Sequence, residues 1–336
     1  MSDILRIGLI GAGRIGKVHA EAVRNLVPEA EIVRVVDVHA ESAHALGTSY
    51  GIPYSTDHND ILNDETIQAV LICSSTDTHS DFIIDSAKAG KHIFCEKPID
   101  HDLARIDAAL SAVDEAGVTL LIGFQRRFDA NFQKVKALID EGAIGELNVL
   151  KITSRDPGPP PVEYIKVSGG IFLDMTIHDF DMARFLFGEV EEVYAFGAVL
   201  VDPAIGEAGD IDTAVITLKF ANGAIGTIDN CRRAAYGYDQ RVEAFGSKGM
   251  VDVGNNFPNT HRLHTADAIS SEKPLHFFLE RYMDAYANEI KTFVDCVVTG
   301  KPSPVSGADG RAPVVIGLAA KKSLMEGRPV KISEIS

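Results

Sequence analysis

Asp174, His178 and Asp181 fall at positions i, i+4 and i+7 of a mostly apolar stretch, Gly169 to Arg184. On a helix this spacing makes one stripe. Phe172, Leu173, Met175, Ile177, Phe180, Met182 and Phe185 mark that helix as largely buried, and a buried polar stripe needs partners. Three chemistries fit: a satisfied core histidine with two structural carboxylates, a cation shared by Asp and His, or an acid–base pair. An imidazole that titrates near neutral pH would suit the last in a chain that also handled a hydride. A second reactive group is Lys97, in Cys95-Glu96-Lys97-Pro98. Its ammonium can hold a hydroxyl and stabilise developing alkoxide charge. Taken alone, it reads as a surface lysine at a strand end. The isomer of the bond to Pro98 is not legible.

The hydride carrier is suggested by the N-terminus. Gly11, Gly13 and Gly16 have the spacing G-x-G-x-x-G, between a strand-like run, Leu5–Ile10, and a helix-like run, Ile15 to Asn25. Gly11 permits a tight turn, Gly13 lets backbone approach a pyrophosphate, and Gly16 lets helix and strand pack closely. The first helical N–H groups, from Arg14 and Ile15 onward, then face the anion. Asp37 ends the next strand, Glu31–Asp37. A carboxylate there accepts from a ribose 2′-hydroxyl and repels a 2′-phosphate, so NAD is expected rather than NADP. The plainer role for Asp37 is to cap the next helix. Ser74, Thr76 and His79, in the loop after the third parallel strand, are expected beside the cofactor, as are Glu96 and Lys97. A simple helix N-cap at Thr78 is compatible with that.

Strand and helix patterns alternate over the first 120 or so residues. The strands are Leu5–Ile10, Glu31–Asp37, Ala69–Cys73, His92–Cys95 and Thr119–Gly123. Such alternation predicts a parallel sheet covered on both faces, with ligand outside the carboxyl ends of the strands. Near Gly145 the pattern changes. A strand over Leu147–Ser154 and a Pro-rich loop, Asp156–Pro161, precede a helix from about Gly170 to Phe187. Runs at Val193–Val201, Thr213–Phe220, Ala224–Arg232, Gln240–Gly246 and Met250–Val253, joined by short turns, predict a mostly antiparallel sheet. Helical patterns return at Leu279–Val298 and Gly307–Met325. The expected fold is therefore α/β. A Rossmann dinucleotide-binding domain over 1–124 precedes an α+β domain with a large, mostly antiparallel sheet over 125–336, whose C-terminal helix can pack back on the first.

Composition narrows the partners. The net charge of −16 argues against nucleic acid and anionic membranes. No apolar run is long enough for a membrane span, and the N-terminus does not read as a signal peptide. Cys73, Cys95, Cys231 and Cys296 are scattered, with no C-x-x-C, so a reducing cytoplasm is the expected setting.

Together, G-A-G-R-I-G, E-K-P and G-G-x-x-x-D-x-x-x-H-D-x-D resemble the glucose–fructose oxidoreductase/inositol dehydrogenase family over essentially the whole chain. Gly123–Asp129, Ser154–Pro157, Asp174–Asp181 and Tyr236–Arg241 resemble its bacterial inositol 2-dehydrogenase branch. The resemblance implies oxidation of a polyol hydroxyl by hydride transfer to NAD, with Lys97, Asp174 and His178 as the catalytic trio. His178 would take the hydroxyl proton, Asp174 would orient the imidazole and stabilise its charged form, and Lys97 would hold the oxygen. Arg127, Asp156, Asp181 and Tyr236 become candidate ligands of the other hydroxyls. Arg127 fits a structural ion pair equally well, and Tyr236 a core aromatic. Tyr238 is expected on the same strand face as Tyr236, so either could face the polyol. No metal is expected, and a homotetramer is. A dehydrogenase of another inositol isomer or cyclic sugar remains an alternative. A non-enzymatic NAD-binding regulator has no need of the trio, and the metal or acid–base requirements of a hydrolase that uses NAD transiently are not evident in the sequence.

Overall fold

A computed structural model describes residues 4–335. The chain divides into two compact units, one up to Phe128 together with Met283–Val314, the other Asp129–Tyr282 with the chain from Val315 on.

In the first unit, β1 (Leu5–Ile10), β2 (Ala30–Val36), β3 (Tyr54–Ser55), β4 (Ala69–Ile72), β5 (His92–Glu96) and β6 (Leu120–Gly123) form one sheet of order β3-β2-β1-β4-β5-β6. Every pairing is parallel. Helices Arg14–Leu26, Ala40–Tyr50, His79–Lys88 and Leu103–Ala116 supply crossovers. The central strands are apolar without alternation because both faces are covered. Strand order reverses between β1 and β4, which puts the ligand crevice of such a sheet at their carboxyl ends. Strand β3 has only two residues, too few for any periodicity to reveal. The helix Met283–Thr299 returns to this unit and packs on the helix Arg14–Leu26.

The second unit is built on β7 (Leu147–Arg155), β8 (Val190–Ala198), β9 (Thr213–Phe220), β10 (Ile225–Cys231), β11 (Asp239–Gly246) and β12 (Gly249–Val253). A hairpin, β13 (Arg262–His264) and β14 (Ile269–Ser271), stands apart, and β15 (Val330–Lys331) closes the sheet order β12-β11-β7-β10-β9-β8-β15. Only β7 and β10 pair in parallel. One face alternates inward through Leu150, Ile152, Ile216, Leu218 and Ile228, and the helix Ile177–Phe187 packs on β7. The other face exposes Phe196, Val215, Ile225, Phe245 and Met250.

The expected helix from Gly170 to Phe187 is two helices, Ile171–Asp174 and Ile177–Phe187. The break has a local cause. Thr176 N–H bonds back to the Ile171 carbonyl, five residues away, and its hydroxyl donates to Asn230 Oδ1 at 2.6 Å. The ladder thus slips by one residue at the position where a buried hydroxyl is anchored to β10. The i, i+4, i+7 stripe therefore does not lie on one continuous helix.

Asp212 secures the far end of the second sheet. It is fully buried, and its carboxylate accepts from the N–H groups of Leu200, Val201 and Asp202 at 2.8–3.0 Å and from the Thr213 hydroxyl. Burial pushes its carboxyl upward, but these hydrogen bonds outweigh it and hold the group below the usual carboxylate range. Asp212→Ala should lower the urea midpoint with unchanged slope, costing about 1–3 kcal/mol through the orphaned N–H groups. An unchanged midpoint would show that these donors find water instead.

Candidate active site

In the first unit the glycine loop follows β1. Gly11 has φ +101°, and a Cβ there would sit 2.5 Å from the backbone of Cys73. A Cβ on Gly16 would overlap the Gly11 carbonyl oxygen. Gly13 differs: a Cβ would meet nothing within 4 Å, so backbone here faces open space. Gly13 caps the helix Arg14–Leu26, and no side chain bonds its first N–H groups. Exposed Arg14 and half-buried Ile15 begin that helix. An uncapped helix N-terminus beside an open, glycine-lined face fits a pyrophosphate. Asp37 Oδ2 accepts from Ala12 N–H at 2.7 Å, and Oδ1 accepts from His39 N–H at 2.8 Å. The carboxylate thus ties the two loops together and keeps lone pairs for a ribose.

The loop after β4 is tied internally. Half-buried Ser74 shares a hydrogen bond with Thr78 at 2.7 Å, and Thr76 is also half-buried. His79 is buried, with Nδ1 2.7 Å from the Pro98 carbonyl and Nε2 3.1 Å from the Ser74 carbonyl. Burial holds its imidazole below the ordinary value. Both ring nitrogens face backbone, so His79 links the loop to the turn after Lys97 and offers no nitrogen to a ligand. Glu96 also points inward, 2.7 Å from His19 Nε2. Lys97 is half-buried and precedes a cis bond to Pro98. Arg127 is buried and paired with Asp309 at 3.1 Å, the structural ion pair that its sequence allowed. A depression of about 690 Å³ lined by Leu5, Ile67 and His92 lies at the opposite, amino edge of this sheet, away from all of these groups.

In the second unit Asp174 and His178 are half-buried and flank the helix break. Asp174 Oδ1 accepts from the Tyr164 hydroxyl at 2.9 Å, and Oδ2 accepts from Arg232 at 3.1 Å. Arg232 is 1% exposed and also lies 3.6 Å from Asp210. Asp181 is buried, as is Asp179, which accepts from Asn230 at 2.8 Å. Asp156 is half-buried and bridges backbone, donating to Cys231 and accepting from Ala234. Tyr236 is exposed, donates to Asp239 at 2.5 Å and accepts from Arg155 at 3.1 Å. Tyr238 is buried against Phe277 and Tyr282. The two tyrosines do not share a strand face: a turn through Gly237, φ +129°, separates them, and β11 starts at Asp239.

Sequence reasoning missed Arg232, Tyr164 and Asp210. A signal for Arg232 exists. Ile228, Asn230 and Arg232 continue a period-two run that points inward, and a charge at the end of such a run demands a buried partner.

Comparison with known proteins agrees with this layout. Residues 5–124 match the family model described as oxidoreductase family, NAD-binding Rossmann fold, and 132–252 match the GFO/IDH/MocA C-terminal domain. A protein of Thermotoga maritima named myo-inositol 2-dehydrogenase is 51% identical over 98% of this chain and 99% of its own length. An inositol 2-dehydrogenase of Rhizobium meliloti is 49% identical over 98% and 99%. The crystal structure of a scyllo-inositol dehydrogenase from Lactobacillus casei, with bound NAD(H) and scyllo-inositol, superposes with a TM-score of 0.92. It is 27% identical, covering 98% of this chain and all of that one.

The glycines separate folding from binding. Gly16→Ala should lower the melting temperature, since overpacking against backbone costs about 1–3 kcal/mol. Gly13→Ala should melt near the parent yet bind NADH more weakly in a calorimetric titration. Equal loss of stability in both variants would refute the assignment of Gly13 to the ligand face.

Proposed function

Because the chain belongs to the GFO/IDH/MocA oxidoreductase family, with an NAD-binding Rossmann domain, we propose that it is an NAD-dependent inositol 2-dehydrogenase. It oxidises myo-inositol to 2-keto-myo-inositol (scyllo-inosose). The observation that carries the reading is the open glycine loop, Gly11 to Gly16, at the carboxyl end of β1. NAD, when bound, supplies the hydride acceptor. Gly11, Gly13, Gly16 and the helix start at Arg14 and Ile15 would hold its pyrophosphate, and Asp37 a ribose hydroxyl. Ser74 and Thr76 would border it, with His79 and Glu96 acting from beneath.

The remaining work belongs to the side chains. Alcohol oxidation sheds a proton with the hydride. His178 accepts that proton from the reacting hydroxyl, and Lys97 holds the oxygen as its charge develops. Asp174 orients the imidazole, and Tyr164 and Arg232 hold Asp174 in turn. Asp156, Asp181, Tyr236 and the guanidinium of Arg127 are our candidates for the other hydroxyls. No metal is assigned a part.

We further place the enzyme in a reducing cytoplasm, as a homotetramer. The four cysteines form no disulfide, and among the described residues no helix is long and apolar enough to cross a membrane. The apolar residues on the open face of the second sheet are suited to burial against another copy. Light scattering checks that mass.

Two experiments test the activity. A panel of inositol isomers and cyclic sugars with NAD or NADP, followed by absorbance of the reduced cofactor, should show oxidation of myo-inositol with NAD preferred by about tenfold or more. The oxidation should survive a strong chelator, and preference for another isomer or sugar would move the reading to that substrate. Asp37→Ala should erode the preference. His178→Ala should lose about 10²–10⁴-fold in turnover while NAD binding stays near normal. Lys97→Ala should add weaker polyol binding. Retention of most turnover by His178→Ala would make the histidine structural.

A further inference from the structure

Glu289 lies within the helix Met283–Thr299 of the first unit, fully buried, and neither carboxyl oxygen has a hydrogen-bond partner. Its Oε1 is 4.0 Å from His19 Nε2, and that same nitrogen is 2.7 Å from Glu96 Oε1. His19 is fully buried and is steadied by edge-to-face contacts with Phe94 and Tyr286, at 4.9 and 5.6 Å. Glu96 Oε2 accepts from the Lys97 N–H at 3.3 Å. A Cβ on Gly123 would come within 3.2 Å of that carboxyl, so the neighbouring strand leaves Glu96 little room. Glu289, His19, Glu96 and the Lys97 backbone thus form one chain of contacts. It ends at the strand terminus where a bound dinucleotide presents its nicotinamide.

Two carboxylates cannot both stay charged across one imidazole in such a place. Glu96 holds the imidazole hydrogen bond and the backbone N–H, so it is the anion. Glu289 has neither. Burial first, and then the charge of Glu96, push its carboxyl well above the usual range. The other neighbours do not offset this. The thiols of Cys73 and Cys95 are pushed up by burial and by Glu96, so they remain protonated. The short helix Gln125–Phe128 packs on this helix and carries Arg126 and Arg127, and Arg127 is paired with Asp309.

We propose that Glu289 is a positioning residue that works as a neutral acid. It packs beside the same His19 nitrogen that Glu96 holds, without a second charge, so that nitrogen stays turned to Glu96. Glu96 in turn fixes the backbone from which Lys97 projects. The inference rests on the NAD reading and not on the identity of the polyol.

Glu289→Gln tests it, since the amide copies the neutral acid. NADH affinity by calorimetry, which needs no polyol, should stay within about twofold of the parent. Glu289→Ala should bind NADH about tenfold or more weakly, as the space left beside Nε2 lets His19 turn away from Glu96. Stability against pH reads the proton directly. A raised folded-state value means that the parent loses stability as pH rises above 4.5, where the unfolded glutamate ionises. The advantage of Glu289→Gln over the parent should therefore grow between pH 5 and pH 8, by up to about tenfold in the folding equilibrium per pH unit. A pH-independent difference would overturn the proposal. So would a Gln variant as impaired as the Ala variant, or one equivalent of metal per chain in the parent that is lost with Glu289→Gln. Oxidation of a different polyol would defeat only the substrate assignment.

Discussion

A buried guanidinium organises the polar cluster of the second unit. Arg232 is out of water, and an unpaired charge in that position costs several kcal/mol, so its partners must stay where they are. One partner is Asp174. The other, Asp210, also accepts the Ile171 N–H at 3.1 Å and so starts the short helix that ends at Asp174. The same Asp210 leaves no space for a Cβ at residue 170, where φ is +83°, so that position is a glycine. The pair Gly169–Gly170, the helix start and the Asp174 carboxylate thus answer to one cation. An apolar replacement of Arg232 would leave two half-buried acids without it.

The first unit follows a different rule, which is close approach of backbone. The loop after β1 passes the loop after β4 at a distance that only Gly11 allows, and its own helix turns back on it at Gly16. Below that surface the groups are linked rather than free. His79 joins one loop to the turn after Lys97, and His19 joins a helix to Glu96. His79 spends both ring nitrogens on protein and His19 its Nε2, so the surface above them is set before any ligand arrives.

Much of this was legible beforehand, for physical reasons. Buried parallel strands are uniformly apolar, and the glycine spacing follows from sterics, so the first sheet and its loop could be read from residue types. The second sheet showed its alternation. What escaped was whatever depended on a distant partner. Nothing local to Thr176 announces Asn230, 54 residues on, as the partner that anchors its hydroxyl at the helix break. His79 and Glu96 were expected at the cofactor surface, yet their polar atoms turn inward to groups that only the fold brings near. Tyr236 and Tyr238 were expected to share a strand face, but a glycine turn lies between them. The short strands β3 and β15 are held by their neighbours' registers rather than by their own composition.

The two hydrogen bonds at Asp37 carry an evolutionary consequence. One carboxylate holds the glycine loop and the start of the next helix, and in the proposed reading its remaining lone pairs would take a ribose hydroxyl. A lineage that drifted toward a phosphorylated cofactor would have to remove this charge. It would then strand the Ala12 N–H and loosen the turn that every dinucleotide needs. Cofactor choice in this scaffold is therefore not an independent trait. It can change only when a substitution elsewhere first takes over the anchoring, so an intermediate with a second acceptor for Ala12 must come before the switch.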